Sequence, residues 1–508
     1  MNSIKIIKII KIMKKLFSKY LAISFLLSIT GFSAYSQKQQ QTDSIDLFLK
    51  DKMEKLHIPG LQLAIVKNGQ IIKRNNYGLA SIENSVNVTN ESMFAINSCT
   101  KAFVGVAVMQ LQEEGKLNIN DPISKYLDDL AADWKALTIQ QLFSNISGLP
   151  NIIDATENFL GNTEDASWEK VKTLPMEFKT GDRFRYNQTG YVIIGRIINK
   201  VSGMHFTKFI EDRQFKIAGM TQTRFGDSND IIANAAGAYT TQQVVNGKWV
   251  TTNEIKNNYF KFPEYFRTCA GIVSTSGEIS QWIIALQNGK LLKQKSSLDL
   301  LWQPAVLNNG RTRGFNKLVN GYALGWPTVT REEHPAVGPI GGMRSAFFVY
   351  PKDDLSIVVL TNFQGANPEF FIDEIAGFYI PEMKESNGFG WSNSLKKLRK
   401  ELIKQNYNNG IKIAENLKKN DANFTLNENE LNDYGYKLLS ESEQTEAVKI
   451  FKLNVDLYPQ SANANDSYAE TLAGLGNKKE AIKYYKIAFQ LNPKNSNAQE
   501  QIKKLENL

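Results

Sequence analysis

Apolar residues fall at helical spacing in residues 44–56, where Ile45, Phe48, Leu49, Met53 and Leu56 share a face before Pro59-Gly60 ends the segment. Two runs follow, LQLAIV and IIKRNNYG, on either side of Lys67-Asn68-Gly69-Gln70. Asn-Gly tolerates the positive φ of a tight turn, so this stretch predicts a β-hairpin. The middle of the chain reads as helices and loops. Strand patterns return with AFFVY, a turn at Pro351-Lys352-Asp353-Asp354, and LSIVVLTN, and a helix is expected over residues 364–380. Strands at both ends of a helical middle predict one antiparallel sheet, closed by N- and C-terminal segments and covered by helices.

Beyond residue 384 the composition turns to Lys, Asn and Glu, and an internal repeat emerges. Tyr434 matches Tyr468, Ala447 matches Ala481, Phe451 matches Tyr485, Leu457 matches Leu491, and Pro459 matches Pro493. Each pair is separated by 34 residues, a spacing that resembles the tetratricopeptide repeat. Because each repeat buries its apolar face on a neighbour, residues 393–419 are expected to supply a third, degenerate unit or to pack on the preceding domain. The expected division is a leader over 1–36, an α/β (α+β) domain over 37–383, a helical linker or degenerate repeat over 384–428, and all-α repeats over 429–508.

Charge changes this picture only at the N-terminus. The formal charge of +9 falls to +3 once the six lysines of residues 1–36 are set aside. That is too little to predict a nucleic-acid partner. Lysines followed by the run LAISFLL and by Ala34-Tyr35-Ser36 read as a cleavable secretory signal, implying a periplasmic or secreted protein with no stable membrane span after cleavage. The two cysteines, Cys99 and Cys269, do not make a disulfide scaffold and read as small buried hydrophobes. His57, His205 and His334 lack metal-ligand spacing, so neither a histidine triad nor a metal or other cofactor is expected.

The candidate chemistry lies in INSCTKAF. Ser98 and Lys101 at i and i+3 share a helical face, and a serine at a helix start meets the positive end of the dipole. A helix cap followed by a lysine would have the same spacing. The apolar residues Phe103, Val104, Val106, Ala107 and Met109 predict a helix buried on most sides, an expensive place for an unpaired ammonium.

With the segments IPGLQLAIVKNGQIIKRNNYGLA, FAINSCTKAFVGVAVMQLQEEGKLNINDPISKYL, LTIQQLFSNISGLP, YNQTGYVIIGRIINKVSG and GYALGW in this order, the chain resembles the serine beta-lactamase family. The similarity is to its class C branch with the related D,D-peptidases and esterases, over about residues 43–382. The resemblance implies an antiparallel sheet flanked by helices plus a helical subdomain, with the active site between them. It implies Ser98 as the nucleophile of an acyl-enzyme, Lys101 as its proton partner, and Tyr186 of Tyr186-Asn187-Gln188 as general base or shuttle, with Gln188 in place of the family's asparagine. The family's third motif falls on Pro339-Ile340-Gly341, where only Gly341 matches. Gly342 is implied as the second oxyanion N–H donor. Arg344 reads either as a replacement positive charge for a substrate carboxylate or as a surface arginine. The turn Phe143–Pro150 departs from the family pattern and reads as structural.

The expected activity is hydrolysis of a beta-lactam, a D-amino-acid peptide or a small ester. The altered third motif favours an ester or small amide lacking the family's carboxylate. The competing readings are a weak or inactive family member that binds cell-wall peptides, and an adaptor in which the repeats contact a protein.

Overall fold

The computed structural model describes residues 44–440 and 443–506, so the expected signal over 1–36 lies outside the described residues. The chain divides into two compact units, the first ending at Pro381 and the second beginning at Glu382.

Strands of the first unit are, in chain order, β1 (Gly60–Lys67), β2 (Gln70–Ser81), β3 (Val86–Asn87) and β4 (Phe94–Ala95). Next come β5 (Arg224–Phe225), β6 (Tyr239–Val245), β7 (Lys248–Asn257) and β8 (Ile272–Ser274). The remainder are β9 (Gly321–Tyr322), β10 (Pro327–Val329), β11 (Ala336–Val337), β12 (Ile340–Gly341), β13 (Ser345–Tyr350), β14 (Leu355–Thr361) and β15 (Phe363–Gln364). The main sheet has the order β3-β2-β1-β14-β13-β11-β10-β9, with β12 paired to β13. N-terminal β1 runs antiparallel to C-terminal β14, Leu61 facing Thr361 and Lys67 facing Leu355. The chain thus closes its sheet from both ends, as the hydropathy pattern predicts.

Strands β13 and β14 are buried at every residue. Such strands need cover on both faces, which is why they read as continuous apolar runs rather than alternating ones. The β1–β2 turn places Asn68 (φ 51°) and Gly69 (φ 70°) in the left-handed region, the geometry a two-residue hairpin requires.

Two small sheets were not expected from sequence, β15-β6-β7 and β4-β8-β5. The hairpin β6–β7 turns through Asn246 and Gly247, both at positive φ. This is the same dipeptide signal as the first hairpin, set in a polar run where it is easily overlooked. The helix expected over 364–380 is shorter: β15 occupies its start and the α-helix covers only Ile372–Ala376. Asn367 takes a left-handed conformation before Pro368, and that pair interrupts the helix.

The core gathers on the helix Thr100–Glu113, whose residues from Thr100 to Leu111 are all buried. Phe103 stacks on Trp282 at 3.9 Å, and Trp282 lies parallel to Trp326 at 5.8 Å.

In the second unit, helices Glu428–Ser440 and Ala462–Gly474 begin 34 residues apart, as do Gln444–Leu457 and Lys478–Leu491. Ala447 and Ala481, matched in sequence, are fully buried. The helices Asn393–Lys404 and Gly410–Asn420 contribute Leu395, Leu398, Leu402 and Ile413 to one core with Leu431, Tyr434 and Phe451. They therefore extend the helical array of this unit. Among the described residues, no helix is long and apolar enough to cross a membrane.

Candidate active site

Ser98 lies in the 3-10 turn Asn97–Cys99, which carries the chain from β4 into the buried helix Thr100–Glu113. Neither the turn nor the helix has a side-chain cap bond at its start, so Ser98 is not acting as the cap that its sequence position allowed. One turn later Lys101 is 1% exposed, and its Nζ donates to Gln188 Oε1 at 2.8 Å and to the Cys269 carbonyl at 2.7 Å. Ser98 Oγ is 3.5 Å away, at the long end of hydrogen bonding. The rings of Tyr186 and Tyr191 each lie with their centroids 4.8 Å from Nζ, a favourable setting for a cation. No carboxylate among the described residues forms an ion pair with Lys101.

These contacts define what the amine can do. Gln188 Oε1 and the Cys269 carbonyl are acceptors only. In a neutral Lys101 the two remaining N–H bonds satisfy them, and the lone pair is left for Ser98. In the ammonium form the third N–H points there instead. The same geometry thus serves proton removal from Ser98 and its return, which is what a general base in acyl transfer must do.

Tyr186 completes this side. Its ring packs edge-on to Phe315 at 5.1 Å, near Tyr322. Its loop is tethered by side chains of the 143–151 segment: Asn145 Oδ1 accepts from Asn187 N at 2.9 Å, and Asn151 Oδ1 from Gln188 N at 3.0 Å. Asn145 itself sits at φ 57°, and the departure from the family pattern in that turn serves to hold the Tyr186 loop.

The opposite wall is main chain. A Cβ on Gly341 would lie 1.9 Å from the Ile96 carbonyl oxygen, and one on Gly342 (φ 55°) would lie 2.3 Å from Asn97 Nδ2. Glycine is required at both positions because β12 and its turn lie directly on the residues preceding Ser98. Pro339 and Ile340 bring no charge or hydroxyl, whereas the main-chain N–H of Gly342 remains. Arg344, next along this turn, is 3% exposed, which rules out the surface-arginine reading.

Several features here had no sequence signal or only a weak one. The Cys269 carbonyl is a backbone group that no motif marks. Tyr191 and Tyr322 are buried, bonded to each other through their hydroxyls at 3.3 Å, and burial pushes both phenols well above their usual pKa. Cys99 and Cys269 are both free and buried, and the Cys269 Sγ reaches the Gln188 carbonyl at 3.4 Å. His334 pairs with Asp353 at 2.9 Å. Among the described residues no cluster suited to a metal ion occurs.

A family model described as Beta-lactamase matches residues 45–380. The chain belongs to the Beta-lactamase family. Protein flp of Staphylococcus aureus strain N315 is 30% identical over 336 residues, 64% of this chain and 64% of that protein. Penicillin-binding protein 4* of Bacillus subtilis strain 168 is 25% identical over 57% of this chain and 64% of its own length. The chain therefore spans about 64% of the length of these curated relatives. Among solved structures, the octameric penicillin-binding protein homologue from Pyrococcus abyssi aligns with a TM-score of 0.57 at 21% identity, over 71% of this chain and 81% of that one. The hydrolase EstCE1, described as having promiscuous acyltransferase activity, aligns at 0.56 and 19% identity, over 67% and 99%. These structural likenesses establish a beta-lactamase-like α/β fold, and the family is one of serine hydrolases.

Proposed function

We propose that the chain is an exported acyl-transfer hydrolase that forms an acyl-enzyme on Ser98 and acts on esters or small amides. The observation that carries this reading is the buried Lys101 amine, held by two acceptor oxygens and presented to Ser98 Oγ at 3.5 Å. Ser98 Oγ would attack the carbonyl carbon while its proton passes to Lys101 or Tyr186. That proton then goes to the leaving group, and a water repeats the sequence to release the acid. The oxyanion would be met by main-chain N–H groups of Ser98 and Gly342, which the side-chain changes at Pro339 and Ile340 leave in place. Those changes argue for esters or small amides over beta-lactams.

Labelling with a fluorophosphonate tests the nucleophile. Wild type should label and Ser98→Ala should not; an unlabelled wild type or an equally labelled variant would refute the reading. Turnover of a chromogenic cephalosporin faster than of 4-nitrophenyl esters would overturn the substrate preference. Export rests on the pattern of residues 1–36 alone, and secretion of a reporter fused behind them tests it. The 34-residue helical repeat supports a protein- or peptide-binding role for the second unit. Capture of partners unchanged by deleting residues 429–508 would exclude that role.

A further inference from the structure

Arg344 is a buried guanidinium without an ion-pair partner among the described residues. Its side chain is 3% exposed, and Nη1 has no hydrogen-bond partner. Nε donates weakly to the Gly342 carbonyl at 3.4 Å, and the group lies over the Phe260 ring at 5.4 Å. The charged side chain that faces it is Glu157, which acts on it at longer range and forms no ion pair. Burial pulls the Arg344 pKa down to about 10, with Glu157 acting the other way. The group is still a cation at neutral pH. A buried cation with an unfilled donor is costly unless something completes it.

Its position suggests what does. Arg344 belongs to the three-residue turn that starts with Gly342, and its N–H closes that turn on the Gly341 carbonyl at 3.0 Å. Gly341 and Gly342 are the residues that touch the turn bearing Ser98. The unfilled guanidinium is therefore one short turn from the expected oxyanion donor. Planar, doubly donating arginine matches a carboxylate better than any neutral acceptor.

We propose that Arg344 is a specificity-determining residue that binds a carboxylate on the substrate, so that the preferred substrates are acidic esters or amides. The proposal deepens the reading of Ser98 as nucleophile and rests on it for its turnover consequences. It departs from the sequence-based expectation of a carboxylate-free substrate, because Pro339-Ile340 removes the family's usual partner while the buried Arg344 supplies another.

Two matched ester pairs test the idea. One places the carboxylate on the acyl half, 4-nitrophenyl hemiglutarate against 4-nitrophenyl valerate. The other places it on the leaving half, 3-acetoxybenzoate against phenyl acetate. Wild type should prefer the acidic member of at least one pair, chiefly through KM. In Arg344→Met the acidic-to-neutral ratio of kcat/KM should fall about thirtyfold or more, with Arg344→Lys intermediate. Equal ratios in wild type and Arg344→Met for both pairs would overturn the proposal. A second measurement needs no turnover: calorimetric binding of glutarate and of glutaramide to Ser98→Ala, with and without Arg344→Met. Glutarate binding that exceeds glutaramide binding and disappears with Arg344→Met supports the carboxylate site even if Ser98 fails to label. Indistinguishable binding of the two ligands refutes the site even if Ser98 labels. Thermal melting of each variant establishes that it is folded.

Discussion

On the helix side of Ser98, side chains hold the chemistry: Lys101 is gripped by Gln188 Oε1 and the Cys269 carbonyl, between the faces of Tyr186 and Tyr191. On the strand side, Gly341 and Gly342 press bare main chain onto Ile96 and Asn97. The first wall can be altered one side chain at a time, save for the Cys269 carbonyl. The second is main chain pressed against main chain, so its side chains at Pro339 and Ile340 are free to change while its glycines are not. The contrast accounts for a motif that keeps its glycine and loses everything else.

The contrast can be broken from either side. Ser98→Ala should lower ester turnover by on the order of 10⁴-fold or more in initial-rate assays, because the step has no substitute nucleophile. Residual turnover near the wild-type rate would mean that the chemistry lies elsewhere. On the strand side, Gly341→Ala should destabilise the protein by about 3 kcal/mol in urea unfolding, since its Cβ would overlap the Ile96 carbonyl. A change at Ile340, which is part-exposed, should be far milder, and equal losses at the two positions would refute the backbone account. Gln188→Ala removes one acceptor of a buried amine and should lower kcat about 10- to 100-fold, with a shifted pH–rate profile. The smallest expected effect is on alkaline stability. Burial pushes the Cys269 thiol up from 9.0 to about 11. The unfolded chain then releases that proton first, so stability should be intact below pH 9 and fall between about pH 9 and 11. Cys269→Ala should lessen this fall in thermal melts, leaving the part due to the buried Cys99 thiol, which burial also pushes up; an unchanged slope would count against it.

Much of the first wall was legible because its signals are local. Ser98 in its 3-10 turn, Lys101 and the apolar run after them are consecutive in the chain, and Tyr186-Asn187-Gln188 leads directly into the helix Thr189–Ser202. The 34-residue matches reappear as helix starts 34 residues apart for the same reason. What escaped depends on distant parts meeting. The Cys269 carbonyl reaches Lys101 across 168 residues, and a carbonyl has no sequence signature. Arg344 stood undecided between surface and site because only the packing around β12 buries it. The β6–β7 strands were lost in polar residues, since β7 is almost wholly exposed and neither strand shows the alternation that marks a half-buried strand. The helix expected over 364–380 was extended across Asn367-Pro368, where the left-handed Asn367 breaks it.

One hydrogen bond sets a limit on how this chain can diverge. The Cys269 carbonyl sits three residues before β8, which pairs with β4, the strand that delivers Ser98. Ile96 N donates to the Ile272 carbonyl at 3.0 Å, and Ile272 N donates to Thr100 Oγ1 at 3.2 Å. The Cys269 acceptor and Ser98 are thus spaced by ladder register. Substitution at residue 269 leaves that oxygen where it is, whereas an insertion or deletion at residues 270–271 would carry it away from Lys101. Descendants of this sequence are free to exchange the letter at 269 but not to change the count.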